Sequence, residues 1–242
     1  MAETATTTSQ RSRLALALDV DDIVEATRLA KELQPYFGVA KVGLELFSAN
    51  GPDTVAALSN LGYDVFLDMK LHDIPTTVGK AARVLGALGV KFLTMHAMGG
   101  PVMLRAGVEG LSEGAAEAGL EPPCALAVTI LTSDSGAPPH ILGKRVQTAV
   151  ESGCGGLVCA ATDVHEAKQL APRLTAVVPG IRLHGSSHDD QARAATPKAA
   201  FEAGADLLVI GRTVTGAPDR AAAAVALHES LAGAGDASEP SR

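Results

Sequence analysis

The chain has 242 residues, of which 47% are hydrophobic and 19% charged, and its net charge is −7. This length supports one well-buried core and allows either one barrel-sized domain or two smaller ones. Aromatic residues make up only 3% of the chain, and no segment is rich in Lys and Arg. The sequence therefore offers neither the basic track nor the stacking surface that nucleic-acid binding requires, and a small metabolite is the expected partner.

The sequence also gives no sign of membrane insertion or secretion. No apolar run approaches the roughly 18 residues of a membrane span, and the N-terminal segment lacks the apolar core of a signal peptide. Cys124, Cys154 and Cys159 lie in or beside apolar segments without paired spacing. An odd number of such cysteines indicates reduced, buried thiols, so we expect a cytoplasmic protein.

Short apolar segments alternate with helical patterns along the chain. The first four apolar segments, each followed by a predicted helix, are 14–20 (helix 21–35), 39–46 (52–60), 64–70 (75–88) and 91–97 (101–117). Four more follow at 124–131, 155–160, 174–180 and 206–212. This alternation predicts parallel βαβ units. The nearly continuous Val, Leu, Ile and Ala runs indicate strands that are buried on both faces.

Eight such units in about 220 residues fit a single (β/α)8 TIM barrel. A doubly wound open sheet is the alternative, although no G-x-G-x-x-G follows the first apolar segment, which disfavours its dinucleotide-binding version. No linker marks a second domain. We therefore predict a barrel over residues 13–231, with disordered tails at 1–12 and 232–242.

Charged residues interrupt the apolar segments near their C-terminal ends, where barrel enzymes carry their catalytic groups. Asp19 ends the first segment, Lys41 lies within the second, Asp68 and Lys70 end the third, and Asp73 lies in the loop that follows. Side chains alternate between the two faces of a strand, so Asp68 and Lys70 should share a face. We expect these charges to converge in the barrel mouth.

Burying several charges is costly unless they are paired. In an alternating Lys–Asp array each charge is paired with its neighbours, and Lys70 becomes the expected proton donor. Two alternatives remain open: the residues form a structural ion-pair network, or Asp68, His72, Asp73 and Asp19 bind a metal. The lysine argues against a metal, because its positive charge already neutralises the carboxylates.

A second group of candidate residues lies near the end of the chain, in VVPGIR (177–182), DDQARAATP (189–197) and VIGRTVTG (209–216). Gly, Arg and Gln come together there after the seventh and eighth predicted strands. Barrels often hold a phosphate at this point, through backbone N–H groups and a guanidinium. Gly211 and Arg212 fit this role, and Gln191 adds side-chain donors. The alternative is that Gly211 and Arg212 form an ordinary turn.

The segment DMKLHDIPTTV (68–78) resembles the D-x-K-x-x-D-I-P-x-T-V signature of the orotidine 5′-monophosphate decarboxylases. The segments LALALD, VAKVGLELF, TMHAMGG, ILTS, PGIR, DDQARAATP and VIGRTVT fall in the order of that family. The resemblance covers most of the chain. It implies decarboxylation of orotidine 5′-phosphate (OMP) to UMP, the last step of pyrimidine synthesis, without a metal or cofactor.

The resemblance also implies roles for residues of the charge array Lys41–Asp68–Lys70–Asp73. Lys70 donates the proton that replaces CO2 at C6 of the pyrimidine, and Asp68 lies against the departing carboxylate. Lys41 and Asp19 contact the ribose hydroxyls, while Thr132 contacts the pyrimidine. Family members are homodimers with shared sites, which implies that Asp73 and Thr77 act across the subunit interface. Four residues are implied to hold the phosphate: Arg182, Gln191, Gly211 and Arg212.

Two other functions remain open. Sister enzymes that act on a hexulose or ketogulonate phosphate look similar at D-x-K-x-x-D but rely on Mg²⁺. A phosphate-binding protein without catalytic activity could use the same barrel. Binding a phosphate does not require Lys70, Asp68 and Asp73, so their presence disfavours the second alternative.

Overall fold

The structure, a computed structural model, describes residues 10–134, 136–182 and 195–232. Eight parallel strands pair in chain order, and the last strand pairs with the first to close a barrel. Helices lie between successive strands. The predicted (β/α)8 barrel is therefore confirmed.

The strands coincide with the eight predicted apolar segments to within a few residues. They are β1 (Leu14–Leu18), β2 (Val39–Val42), β3 (Asp64–Leu71), β4 (Phe92–His96), β5 (Cys124–Val128), β6 (Gly156–Val158), β7 (Thr175–Val178) and β8 (Leu207–Ile210). The helices are α1 (Ile23–Leu33), α2 (Leu44–Asn50), α3 (Asp53–Ser59), α4 (Pro75–Gly86), α5 (Gly100–Glu117), α6 (His140–Glu151), α7 (Val164–Leu170), α8 (Pro197–Glu202), α9 (Arg212–Thr215) and α10 (Arg220–Ala232).

One helix occupies a segment predicted as strand. The predicted strand 39–46 ends at Val42, and α2 begins at Leu44. Gly43 separates them in an extended conformation (φ −89°, ψ −176°). Leu46 of α2 is fully buried, so the same apolar residue satisfies a strand pattern or one turn of helix. A short apolar run cannot distinguish the two by periodicity alone.

The core has two layers, as expected for strands that are buried on both faces. Alternate strand residues form a cluster to which no helix contributes, and they fill the barrel interior: Ala15, Ala17, Val39, Phe66, Leu126, Val177, Leu207 and Val209. The larger cluster joins the outward-facing strand residues, such as Leu14 and Leu16, to the apolar faces of the helices. The charged residues at the barrel mouth are therefore built on a rigid, water-excluding scaffold.

Helices α4 and α5 approach each other very closely, because glycines lie at their contact. A Cβ atom on Gly114 would collide with the backbone carbonyl of Arg83, and one on Gly110 would collide with that of Gly79. Only glycine permits this separation. The close contact fixes the position of α4, which begins at Pro75 within the motif DMKLHDIPTTV.

The N-terminal part of the described chain contacts the barrel. The Arg11 carbonyl accepts a hydrogen bond from the Gly38 N–H (2.8 Å). The Nη2 atom of the Arg11 side chain donates to the Phe37 carbonyl (3.2 Å). Residues 10–12, which the sequence pattern assigns to the tail, are thus tied to the chain before β2. The remainder of the predicted tails, 1–9 and 233–242, lies outside the described residues. Within the described part of the chain, none of the helices has the length and apolar character to cross a bilayer.

Candidate active site

A cavity of about 240 Å³ lies at the barrel mouth. Its lining residues come from the C-terminal ends of the strands and from the loops that follow them. Eight of the eleven predicted site residues line it: Asp19, Lys41, Asp68, Lys70, Thr132, Arg182, Gly211 and Arg212. The structure therefore brings together residues that lie up to 193 positions apart in the sequence (212 − 19).

One wall of the cavity is a row of alternating charges from β1, β2 and β3. Lys41 Nζ lies 2.8 Å from Asp19 Oδ1 and 3.9 Å from Asp68 Oδ2. Lys70 Nζ donates to both carboxylate oxygens of Asp68 at 2.8 Å. Lys41 is buried, and the Asp68 side chain is only 16% exposed. Each charge has a partner of opposite sign, which offsets the cost of removing it from water.

Lys70 reaches this wall through an irregularity in β3. The β3–β4 register runs from Leu67 opposite Leu93 to Leu71 opposite Met95, so three residues of β3 lie opposite one residue of β4. Lys70 itself has φ +49°, the only positive φ of a non-glycine residue in the described chain. Such a conformation costs about 1–3 kcal/mol and is found mainly at functional sites. Simple strand alternation therefore does not explain how Asp68 and Lys70 come to share the cavity.

Thr94 of β4 holds this irregular segment, and sequence reasoning missed it. The Lys70 backbone N–H donates to Thr94 Oγ1 (2.8 Å), and that hydroxyl donates to Asp68 Oδ1 (3.0 Å). Thr94 is completely buried. A lone hydroxyl in the apolar strand FLTMH was the available signal, because a buried polar group requires a partner.

Two predicted residues lie outside the cavity. Asp73 and Thr77 are exposed on the loop after β3 and on the first turn of α4. Asp73 Oδ1 accepts from the Ile74 N–H (2.6 Å), a local bond at the helix start. The predicted phosphate ligand Gln191 lies outside the described residues.

The part of the cavity wall that follows β7 and β8 carries positive charge. Arg182 and Arg212 lie there beside Gly180 and Gly211, and the described lining residues after these two strands include no carboxylate. The Arg182 backbone N–H donates to the Ala195 carbonyl (2.9 Å). Two guanidinium groups that line the same cavity provide a suitable site for an anionic group.

A pair of histidines lies next to Lys70. The ring centroids of His72 and His96 are 5.6 Å apart. His96 ends β4, is buried, and its Nδ1 has no hydrogen-bond partner within the described chain. Burial lowers the pKa of His96, and the nearby His72, Arg145 and Lys70 lower it further. The ring is therefore neutral at physiological pH and adds no charge beside Lys70.

Cys159 also lines the cavity, but it is not suited to nucleophilic catalysis. It is almost completely buried, and this burial raises the pKa of its thiol to about 12. The thiolate is the nucleophilic form and is essentially absent at neutral pH. Acid–base chemistry at Lys70 is consequently better supported than covalent catalysis.

A (β/α)8 barrel whose mouth holds a Lys–Asp array and two arginines in one cavity defines an enzyme that acts on a small phosphorylated substrate. The family model for the orotidine 5′-phosphate decarboxylase / HUMPS family matches residues 12–227. The chain belongs to this family.

Three proteins that are similar to this chain are each named orotidine 5′-phosphate decarboxylase. An orotidine 5′-phosphate decarboxylase from Anaeromyxobacter sp. (strain K) is 43% identical over 230 residues, which cover 90% of this chain and 98% of that protein. The enzyme of the same name from Thermobifida fusca (strain YX) is also 43% identical over 230 residues, with 90% and 95% covered. The crystal structure of orotidine 5′-phosphate decarboxylase from Lactobacillus acidophilus superimposes with a TM-score of 0.77 at 34% identity, covering 90% of this chain and 98% of that chain.

Proposed function

We propose that the protein decarboxylates OMP to UMP and CO2 in pyrimidine biosynthesis, and that it is a carboxy-lyase. The family membership and the similar decarboxylases support this activity. The observation that carries the mechanism is the Lys70 ammonium, which is held in the cavity by both oxygens of Asp68.

The chemistry requires a cation at one carbon of the substrate. When the bond between C6 and the carboxylate breaks, CO2 leaves and the electron pair remains on C6. A fixed ammonium beside that carbon stabilises the developing negative charge and then transfers a proton to it. Asp68 occupies two N–H groups of Lys70, and the third is available for C6. We propose that no metal takes part, because Lys70 already supplies the positive charge.

We assign the other parts of the substrate to the other cavity residues. The phosphate is assigned to Arg182, Gly211 and Arg212, with Gln191 as a further ligand. The ribose hydroxyls are assigned to Asp19 and Lys41, whose ion pair lies at the cavity wall. Thr132 lies on the same cavity and is assigned to the pyrimidine ring. Phosphate binding is remote from the breaking bond, and its free energy can lower the barrier by holding the reacting groups in place.

We also propose that the protein is a homodimer with shared active sites. Asp73 and Thr77 lie outside the cavity of their own chain, beside three exposed apolar side chains: Ile74 (66% exposed), Met98 (57%) and Val102 (66%). The contact between His72 and His96 brings the loops after β3 and β4 together. An exposed apolar surface rimmed by polar residues is typical of an interface. In the proposed dimer this surface is the two-fold interface, and Asp73 acts at the cavity of the other subunit.

The free thiols of Cys124, Cys154 and Cys159 agree with the expected cytoplasmic location, since cytoplasmic proteins keep their cysteines reduced.

The test is the ultraviolet absorbance change of the purified protein with OMP in the presence of EDTA, compared with Lys70→Ala. The proposal predicts rapid turnover that is lost in the variant. The same protein is also assayed with a hexulose phosphate or a ketogulonate phosphate in the presence of Mg²⁺. A folded protein that turns over one of these substrates and not OMP would overturn the proposed activity.

A further inference from the structure

Thr94 lies behind the Lys70–Asp68 pair and does not line the cavity. It is the single β4 residue that faces the three-residue stretch of β3 between Leu67 and Leu71. Its hydroxyl oxygen is 2.8 Å from the Lys70 backbone nitrogen and 3.0 Å from Asp68 Oδ1. In a regular parallel pair of strands a backbone carbonyl accepts from such an N–H. Here the Thr94 hydroxyl is the acceptor for the Lys70 N–H.

The direction of both hydrogen bonds follows from the chemistry of the three groups. A backbone N–H only donates, so the Thr94 oxygen accepts from Lys70. Both oxygens of Asp68 accept from Lys70 Nζ, and the Thr94 hydroxyl donates its one proton to Asp68 Oδ1. A residue with an apolar side chain at this position would leave the Lys70 N–H without this acceptor and Asp68 without this donor.

We propose that Thr94 is a positioning residue for the decarboxylation. Its hydroxyl holds the left-handed backbone of Lys70 and fixes the plane of the Asp68 carboxylate, so that the ammonium points into the cavity. This role rests on the proposed function, because the predicted effect is on proton transfer from Lys70. The phosphate wall has no contact with Thr94 among the described hydrogen bonds, so substrate binding should not depend on it.

The experiment compares Thr94→Val, Thr94→Ala and Thr94→Ser with Thr129→Val. Valine has nearly the shape of threonine without the hydroxyl, alanine also lacks the hydroxyl, and serine retains it. Thr129 is the matched control: it is equally buried directly after the neighbouring strand β5, and its hydroxyl donates to the Val158 carbonyl (2.9 Å). The measurements are kcat and KM with OMP and the dissociation constant of UMP.

We expect Thr94→Val and Thr94→Ala to lower kcat by at least about tenfold, equivalent to about 1.4 kcal/mol in the barrier. The dissociation constant of UMP should remain close to the wild-type value. Thr94→Ser and Thr129→Val should retain nearly wild-type kcat. The inference is overturned if neither hydroxyl-free variant loses kcat, if Thr94→Ser loses it equally, or if Thr129→Val shows the same loss.

Two further observations separate this inference from the proposed function. Absence of OMP turnover by the wild-type protein would refute the function without reference to Thr94. The crystal structure of Thr94→Val, or of Thr94→Ala if the first variant does not fold, tests the positioning role without turnover. The inference predicts that Lys70 leaves its positive φ or that its ammonium moves away from the cavity. An unchanged Lys70 would contradict it.

Discussion

Asp68 and Asp73 belong to one short motif, yet their surroundings are opposite. The Asp68 side chain is 16% exposed and accepts hydrogen bonds from Lys70 and Thr94, with Lys41 at 3.9 Å. Asp73 is exposed, and its carboxylate accepts from the N–H of the next residue. The chain thus builds the complete environment of the first carboxylate. The second has the chemistry of a site residue but lies outside the cavity of its own chain.

The difference follows from the elements that carry the two residues. Asp68 lies within β3, where the adjacent strands supply Lys41 and Thr94 as partners. Asp73 lies after the strand, at the rim of the barrel, where no further strand covers it. A carboxylate in such a position either serves only the helix start or acts on a neighbouring subunit. Three variants test the surroundings of Asp68 and its cavity, and a subunit-mixing experiment tests the role of Asp73.

The largest effect is expected for Asp68→Asn. This change leaves the ammonium groups of Lys41 and Lys70 without the negative charge between them, and it replaces one of the two oxygens that accept from Lys70 with an NH2 donor. We expect kcat to fall by about 10⁴-fold, the upper end of the effects seen for acid–base groups. Steady-state kinetics with OMP measure it. Asp64→Asn, at the exposed start of the same strand, is the control, and an equal loss there would contradict the account.

Arg212→Ala changes the cavity wall after β8, in the same cavity as Asp68. We expect kcat/KM for OMP to fall by about a thousandfold, or about 4 kcal/mol, because the guanidinium is a proposed ligand of the phosphate. Turnover of orotidine, which lacks the phosphate, should not change. The matched control is Arg220→Ala, since Arg220 pairs with Glu32 and the Thr215 carbonyl outside the cavity. A loss below about tenfold with OMP would refute the phosphate assignment.

The smallest effect concerns His96. Its ring contacts that of His72, which lies between Asp68 and Asp73 in the sequence. Burial lowers the pKa of His96 in the folded state, so below about pH 6.5 the unfolded chain binds a proton that the folded chain does not. The free energy of unfolding should therefore decrease as the pH falls below that point, and His96→Asn should weaken this dependence. Thermal unfolding at several pH values measures it, with the exposed His140→Asn as control. An unchanged pH dependence in His96→Asn would contradict the interpretation.

Much of this architecture was predictable, because strands buried on both faces leave long Val, Leu, Ile and Ala runs. Charges that interrupt such runs, as Asp68 and Lys70 do, are conspicuous for the same reason. The left-handed Lys70 and the role of Thr94 were not predictable. Both depend on the register between β3 and β4, a pairing that local periodicity does not encode. The short helix α2 was missed because its apolar residues also fit a strand.

The most direct test of the contrast between Asp68 and Asp73 is subunit mixing. Lys70→Ala and Asp73→Ala are each expected to be inactive alone. If Asp73 serves the other subunit, a mixed dimer has one site with both residues intact, so a re-equilibrated equal mixture should recover about one quarter of wild-type activity. Mixing Lys70→Ala with Asp68→Ala, two changes in the same wall, should recover none. No recovery in the first mixture, with mixed dimers shown to form, would contradict a shared active site.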